Sequence, residues 1–331
     1  MIKQIKLKNI EAKVRNYKKY EAPKANNPLL PPLWQSIILC AQKNGGKTYS
    51  TVQLLTAYEE SGFTYEGQKA VMRTIWISGA TAHSKQNAII RTLKSLDESD
   101  IHEIDETSKD KFQEIYDDIL AEKQEIETYN IYREIYKKFM KKGLTKLNDE
   151  ELMLLEKHDY KNPKDDPDAP EYLVPRVVFW ILDDLINNPN VFGYKKSNFI
   201  NKLIVKHRHD SEVLCPINLI FITQHFHSIP VIIRRNSDVF VLFHNSNRKK
   251  IIEDVSQDVG SVISVENFTA FYDYTCSIEW GSLIISVHAK EADERRVRCG
   301  WDKVLTLEDI SKCNCVKEGK PYNSCGKDKK I

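Results

Sequence analysis

The sequence predicts an α/β fold with a mainly parallel central sheet flanked by helices, and three observations predict it. Several apolar runs show no alternation: Ser36 to Cys40, Val177 to Leu182, Pro216 to Thr223 and Val239 to Phe243. Strands that read as continuous hydrophobic segments are buried on both faces, as in a parallel sheet covered by helices. The first run ends in a small-residue turn, Ala41-Gln42-Lys43-Asn44-Gly45-Gly46-Lys47-Thr48, which opens an amphipathic segment. The second ends in adjacent carboxylates, Asp183 and Asp184. The carboxyl ends of strands are where open α/β sheets bind ligands.

The turn has the layout of a phosphate-binding loop (P-loop). Successive backbone N–H groups and the positive end of the following helix cradle a triphosphate. Gln42, Lys43, Asn44, Gly45 and Gly46 supply that cradle, and Lys47, Thr48 and Tyr49 complete the candidate ATP-contacting set. The Lys47 ammonium reaches the β- and γ-phosphates, and the Thr48 hydroxyl holds Mg²⁺. Ala41 stands where the usual pattern has glycine, which is tolerable if φ stays negative there. Downstream, one carboxylate of the Asp183–Asp184 pair supports Mg²⁺ and the other activates water. Asp183 is assigned to the metal and Asp184 to water, although the two roles are exchangeable. Gln224 follows the strand 216–223 and can position water or sense the γ-phosphate. Together these motifs read as a nucleotide hydrolase.

In chain order, residues 1–32 read as a basic leader with a Pro-rich end, delivering the chain to a core spanning 33–290. Trp34 packs against the sheet or lies near the nucleotide base. The helix after Thr48 carries Val52, Leu55 and Tyr58 at helical spacing, with Gly62 beyond its end. Arg73 to Ser78 reads as a second core strand, and Gly79-Ala80-Thr81 turns into a helix carrying Ala88, Ile89 and Leu93.

Residues 97–175 are charged and carry Phe112, Ile115, Tyr116, Ile119, Ile126 and Tyr129 at intervals of three and four. That spacing predicts one long amphipathic helix or a helical hairpin, inserted between core strands and lying outside the sheet. It is a projecting docking arm or a lid packed on the core. Further on, Arg248, Lys249 and Lys250 open a helix over Ile251, Ile252 and Val255, and Leu283 to His288 reads as a last strand. Residues 291–331 form a polar tail. Its Cys299, Cys313, Cys315 and Cys325 lack the Cys-x-x-Cys pairing of zinc ribbons.

The 331 residues suffice for one large core with insertions. The net charge of +2, from 49 basic and 47 acidic residues, excludes a globally basic nucleic-acid binder but not a locally basic pore. No apolar run approaches the length of a bilayer span, and the first residues lack a secretory core, so a soluble intracellular protein with no membrane partner is expected. Seven cysteines in a chain of this size suit a reducing compartment, with Cys40 and Cys215 as buried thiols.

One further set of residues, taken in order, adds a resemblance. Gly46-Lys47-Thr48, Leu182-Asp183-Asp184-Leu185, Lys206-His207-Arg208-His209-Asp210, Thr223-Gln224, Ile229-Pro230 and Ile233-Arg234-Arg235-Asn236 follow one another toward the strand ending in Phe243. This series resembles the viral genome-packaging ATPases of the FtsK–HerA P-loop superfamily, the branch of nucleocytoplasmic large DNA viruses and virophages. The matched segments span about residues 34–95 and 176–245. The resemblance implies a RecA-like core in a homo-oligomeric ring, with ATP hydrolysis driving double-stranded DNA into a capsid. It implies a capsid or portal partner, and a place in host cytoplasm, virus factory or virion. It also implies an arginine supplied in trans, for which Arg234 and Arg235 are the candidates, with Arg208 behind them. A cellular or plasmid DNA translocase shares this chemistry. A P-loop kinase would leave the block from Gln224 to Asn236 unexplained.

Overall fold

The computed structural model describes residues 23–65, 67–79, 88–104, 110–185, 198–209, 211, 214–260, 262–289 and 296–306. In chain order the strands and helices are β1 (Lys24–Ala25), β2 (Ser36–Cys40), α1 (Lys47–Ser61), β3 (Phe63–Tyr65), β4 (Gln68–Ala70), β5 (Met72–Ser78) and β6 (Ile101–Glu103). The arm follows as α2 (Lys111–Lys142) and α3 (Asp149–Lys157). After it come β7 (Val177–Asp183), α4 (Phe199–Lys206), β8 (Asn218–Thr223), α5 (Val231–Asn236) and β9 (Val239–Phe243). The chain then forms α6 (Arg248–Val259), α7 (Val265–Cys276), β10 (Ser282–Ser286), β11 (Val297–Cys299) and β12 (Lys303–Val304).

The main sheet runs β12-β11-β10-β9-β2-β8-β7-β5-β6. From β9 to β6 every pairing is parallel, and β10, β11 and β12 add on antiparallel. Strand β2 lies at the centre with all five residues buried, and its side chains divide between two cores. Ile38 and Cys40 face a layer built with α2, α4, α6 and α7, while Ile37 and Leu39 face Leu54, Leu55 and Tyr58 of α1. Helices therefore cover both faces, which is why these strands carry no polar alternation. The fold is an α/β domain with a mainly parallel sheet and a long helical insertion. Trp34 is buried near the amino ends of the strands, where its N–H bonds the Asn218 side chain, far from the phosphate loop.

The insertion is a hairpin, and it behaves in two ways along its length. Phe112, Ile115, Tyr116 and Ile119 of α2 belong to the main core, and the Tyr116 hydroxyl donates to Cys215 O at 3.0 Å and accepts from Cys215 N at 2.9 Å. Farther along, Tyr129, Tyr132, Ile135 and Leu155 form a separate small cluster between α2 and α3. Asn148 starts α3 with a capping box, its side chain accepting from Glu151 N at 2.8 Å. The base of α2 is clamped to the sheet by Arg73, which reaches Asp100 at 2.7 Å, Asp118 at 2.9 Å and Glu122 at 2.8 Å.

The boundaries differ from the sequence expectation in three places. Ile101–Glu103, placed outside the sheet, is its edge strand β6, paired with Trp76, Ile77 and Ser78. Residues 297–304, placed in the tail, extend the opposite edge as β11 and β12. Lys24 and Ala25, placed in the leader, pair with Thr64 and Phe63 in a small three-stranded sheet. Short edge strands bury too few side chains to write a hydrophobic run. The helix expected after Gly79 falls largely outside the described residues; of it, Ile90–Thr92 forms a single 3₁₀ turn. Cys313, Cys315 and Cys325 also lie outside them. Cys40 and Cys215 are buried free thiols, as expected. No described helix is long and apolar enough to cross a membrane.

Candidate nucleotide site

The loop 41–46 joins the end of β2 to α1. Two of its residues take left-handed backbone, Asn44 at φ 58° and Gly46 at φ 88°. Asparagine tolerates that region and glycine enters it freely, so both are suited to a loop that turns its amides inward. Gly45 has a different requirement. A Cβ there would sit 2.8 Å from the Ala41 Cβ and 2.9 Å from Gln42 O. Ala41 keeps negative φ, so its methyl is tolerated, but that methyl leaves room only for glycine at position 45. Gly46 leads into α1 with no side-chain cap and no acid in the first turn, leaving a positive helix pole open to an anion. Gln42 fastens the loop from outside, its Nε2 donating to Ser246 Oγ at 2.5 Å.

Lys47 is buried, and its Nζ donates to Ala41 O at 2.8 Å and Gln42 O at 3.0 Å. Burial pushes its pKa down, and the charges of Asp184 and Asp183 work against that. The ammonium is therefore held over the loop within the field of the acidic pair. Thr48, half-buried, makes no hydrogen bond through its hydroxyl among the described residues, while Tyr49 projects outward and is 64% exposed.

Asp183 ends β7, in register with Ser78 of β5 and Ile222 of β8. Burial, then the neighbouring Asp184, push its pKa up from 3.8 to about 6, against the pull of Lys47 and a hydrogen bond from Trp76. Asp184 is exposed and left-handed at φ 54°, with its N–H on Ile222 O at 3.1 Å. Gln224 Nε2 donates to Asp184 Oδ2 at 2.6 Å. The fold thus brings Lys47, Asp183, Asp184 and Gln224 to the carboxyl ends of adjacent central strands. A coordinating oxygen at Thr48 and a half-buried carboxylate at Asp183 suit a hard cation such as Mg²⁺, which takes few protein ligands beside substrate phosphates. No cluster of three or more His, Cys, Asp or Glu able to hold a metal occurs among the described residues.

The arginines are placed elsewhere. Arg208 pairs with Asp238, whose other oxygen accepts Ser36 N at 2.8 Å, so Arg208 lies at the amino ends of the strands. Arg234 and Arg235 sit on α5, just before the amino end of β9. Arg234 is committed within its own chain: it meets Asp258 at 2.5 Å and stacks 5.3 Å over the Phe226 ring. Arg235 is exposed and has no ion-pair partner among the described residues. None of the three joins the site of its own chain.

The chain is similar to viral genome-packaging NTPases. The genome packaging NTPase B204 from Sulfolobus turreted icosahedral virus 2, in complex with ATP-gammaS, aligns at 12% identity over 82% of this chain and 98% of that one, with a TM-score of 0.41. EssC (ATPases 2 and 3) from Geobacillus thermodenitrificans aligns at 14% identity over 87% of this chain and 46% of that one, with a TM-score of 0.40. The pCW3 conjugation coupling protein TcpA aligns at 12% over 85% and 65%, with a TM-score of 0.40. No protein-family model matches the chain, and no curated protein does.

One wall of the site escaped sequence reasoning. Phe243, His244, Ile278, Trp280 and Gly281 face loop residues 42–45 across a cleft of 260 Å³. The only trace in the sequence is an aromatic followed by glycine, Trp280-Gly281, between a helix and a strand.

Proposed function

We propose that the protein is a Mg²⁺-dependent ATPase that translocates double-stranded DNA, and that it works in viral genome packaging as a homo-oligomeric ring. The observation that carries the hydrolase is the convergence of the phosphate loop with its Lys47, Asp183 and Asp184 at the carboxyl ends of β2 and β7, with Gln224 fastened to Asp184 at 2.6 Å. The ordered motif series supports the motor.

In this reading the loop amides and the α1 pole hold the phosphates, and Lys47 exchanges its two carbonyl partners for phosphate oxygens. Thr48 and Asp183 would hold Mg²⁺, which supplies charge neutralisation at the transferring phosphoryl group. Asp184 accepts a proton from the attacking water, and Gln224 keeps that carboxylate oriented. Phosphoryl transfer depends mainly on positioning and charge stabilisation, so an added arginine has a large effect. Arg235 is the stronger candidate for action in trans because it is free to reach a neighbouring chain, whereas Arg234 would first have to leave Asp258.

The test is displacement of a triplex-forming strand from linear duplex DNA. ATP-dependent displacement, lost in Lys47→Ala, is expected. Hydrolysis that never displaces the third strand would remove translocation from the proposal. The trans assignment is tested by mixing subunits. Arg235→Ala mixed with Lys47→Ala should recover activity that neither has alone, and failure to recover would remove Arg235.

A further inference from the structure

The order of the strands decides which end of a nucleotide goes where. Strand β2, which carries the phosphate loop, has β8 on one side and β9 on the other. Asp183, Asp184 and Gln224 come from β7 and β8, so the reacting phosphate lies toward β8. The side of β9 and β10 is then left for the nucleoside. On that side lies the 260 Å³ cleft between Gln42 and Asn44 of the loop and Phe243, His244, Trp280 and Gly281.

Trp280 is unusual in two independent respects. Its side chain is 67% exposed although indole is among the costliest surfaces to leave in water. Its backbone is left-handed at φ 60°, a genuine outlier for a bulky residue. The turn that follows is tight. A Cβ on the next residue, Gly281, would lie 2.2 Å from Thr275 O, and the Gly281 N–H is tied to Ile278 O at 2.9 Å. The indole is thereby presented over the loop, 3.5 Å from where a Cβ of Gly46 would stand. A flat, exposed ring on that side of the loop matches the face of a base.

We infer that Trp280 is the stacking platform for the purine base of the bound nucleotide. The inference rests on the nucleotide reading above, and it adds a base-specific contact on an element outside the motif series.

The test separates base from phosphate. Binding of ATP and of inorganic tripolyphosphate, each with Mg²⁺, is measured for the wild type, Trp280→Ala and Trp280→Phe, with thermal melts to verify folding. Trp280→Ala should weaken ATP about tenfold, the scale of one base–aromatic stack, while tripolyphosphate affinity stays unchanged. Trp280→Phe should recover most of the ATP affinity, and ATP but not tripolyphosphate should quench the part of the tryptophan emission that Trp280→Phe removes. Equal loss for both ligands, or no loss for either, overturns the inference. So does a Trp280→Ala protein that binds ATP normally but loses stimulation by DNA, since the ring would then serve the polymer. A wild type that binds neither ligand would sink the nucleotide reading itself.

Discussion

Gln224 donates its side-chain amide to Asp184 at 2.6 Å, joining the tips of β8 and β7 across the edge of the phosphate cleft. The amide occupies one carboxylate oxygen and leaves the other free for water. Gln224→Ala should therefore lower kcat about a hundredfold, the scale of a misplaced proton acceptor, with ATP affinity nearly unchanged. Rapid-quench turnover with equilibrium binding checks this. A variant that loses affinity and keeps kcat would assign Gln224 to binding.

Gly45→Ala places a methyl group 2.8 Å from the Ala41 Cβ and 2.9 Å from Gln42 O. The loop must widen, so its amides leave their positions. ATP affinity should fall steeply with the melting temperature reduced by a few degrees, since the overlap costs about 1–3 kcal/mol. Ala41→Gly in the same chain should restore part of both, because it removes the nearer obstruction. Calorimetry of the single and double variants measures the coupling.

Asp183 gives a pH-dependent prediction. Its pKa rises from 3.8 to about 6 in the fold, so the ionised form is disfavoured there. Below about pH 3 folded and unfolded chains are both protonated at this position, and the burial penalty is absent. Stability falls as pH rises between these values, because the unfolded chain ionises first, and the full penalty persists above about pH 6. In nucleotide-free protein, Asp183→Asn should raise the melting temperature at pH 8, by at most about 3 kcal/mol of stability, and leave it unchanged at about pH 3. Equal melting curves for the two proteins at pH 8 would contradict the burial argument.

Arg73 anchors the arm to the sheet through Asp100, Asp118 and Glu122, and these acids hold its guanidinium well above the usual arginine pKa. Asp100 is almost fully buried. Arg73→Met leaves that carboxylate unpaired and should cost about 3 kcal/mol. Adding Asp100→Leu should return much of the loss. Denaturant melts of the cycle test it, and ATP affinity should not move.

Much of the fold was legible because central strands such as Val177–Asp183 are covered on both faces and write an unbroken apolar run. Ile101–Glu103 was illegible for the opposite reason: three residues, one of them His102, at a sheet edge leave no period to read. Arg298 breaks the pattern of β11 while being buried, since it donates to Leu29 O at 2.9 Å and Trp301 O at 3.0 Å. The placement of Lys47, Asp183, Asp184 and Gln224 at neighbouring strand ends was legible from the apolar runs they follow. The different fates of Arg234 and Arg235 were not, because the Asp258 partner lies twenty-four residues away on another helix. Trp280 was missed because an exposed aromatic in a turn belongs to no periodic pattern.

The central claim is tested most directly by steady-state ATP hydrolysis with Mg²⁺, with and without linear double-stranded DNA, using Lys47→Ala as the control. The account predicts hydrolysis that DNA stimulates and that vanishes in Lys47→Ala while the variant stays folded. Hydrolysis equal with and without DNA, or surviving in Lys47→Ala, would contradict it.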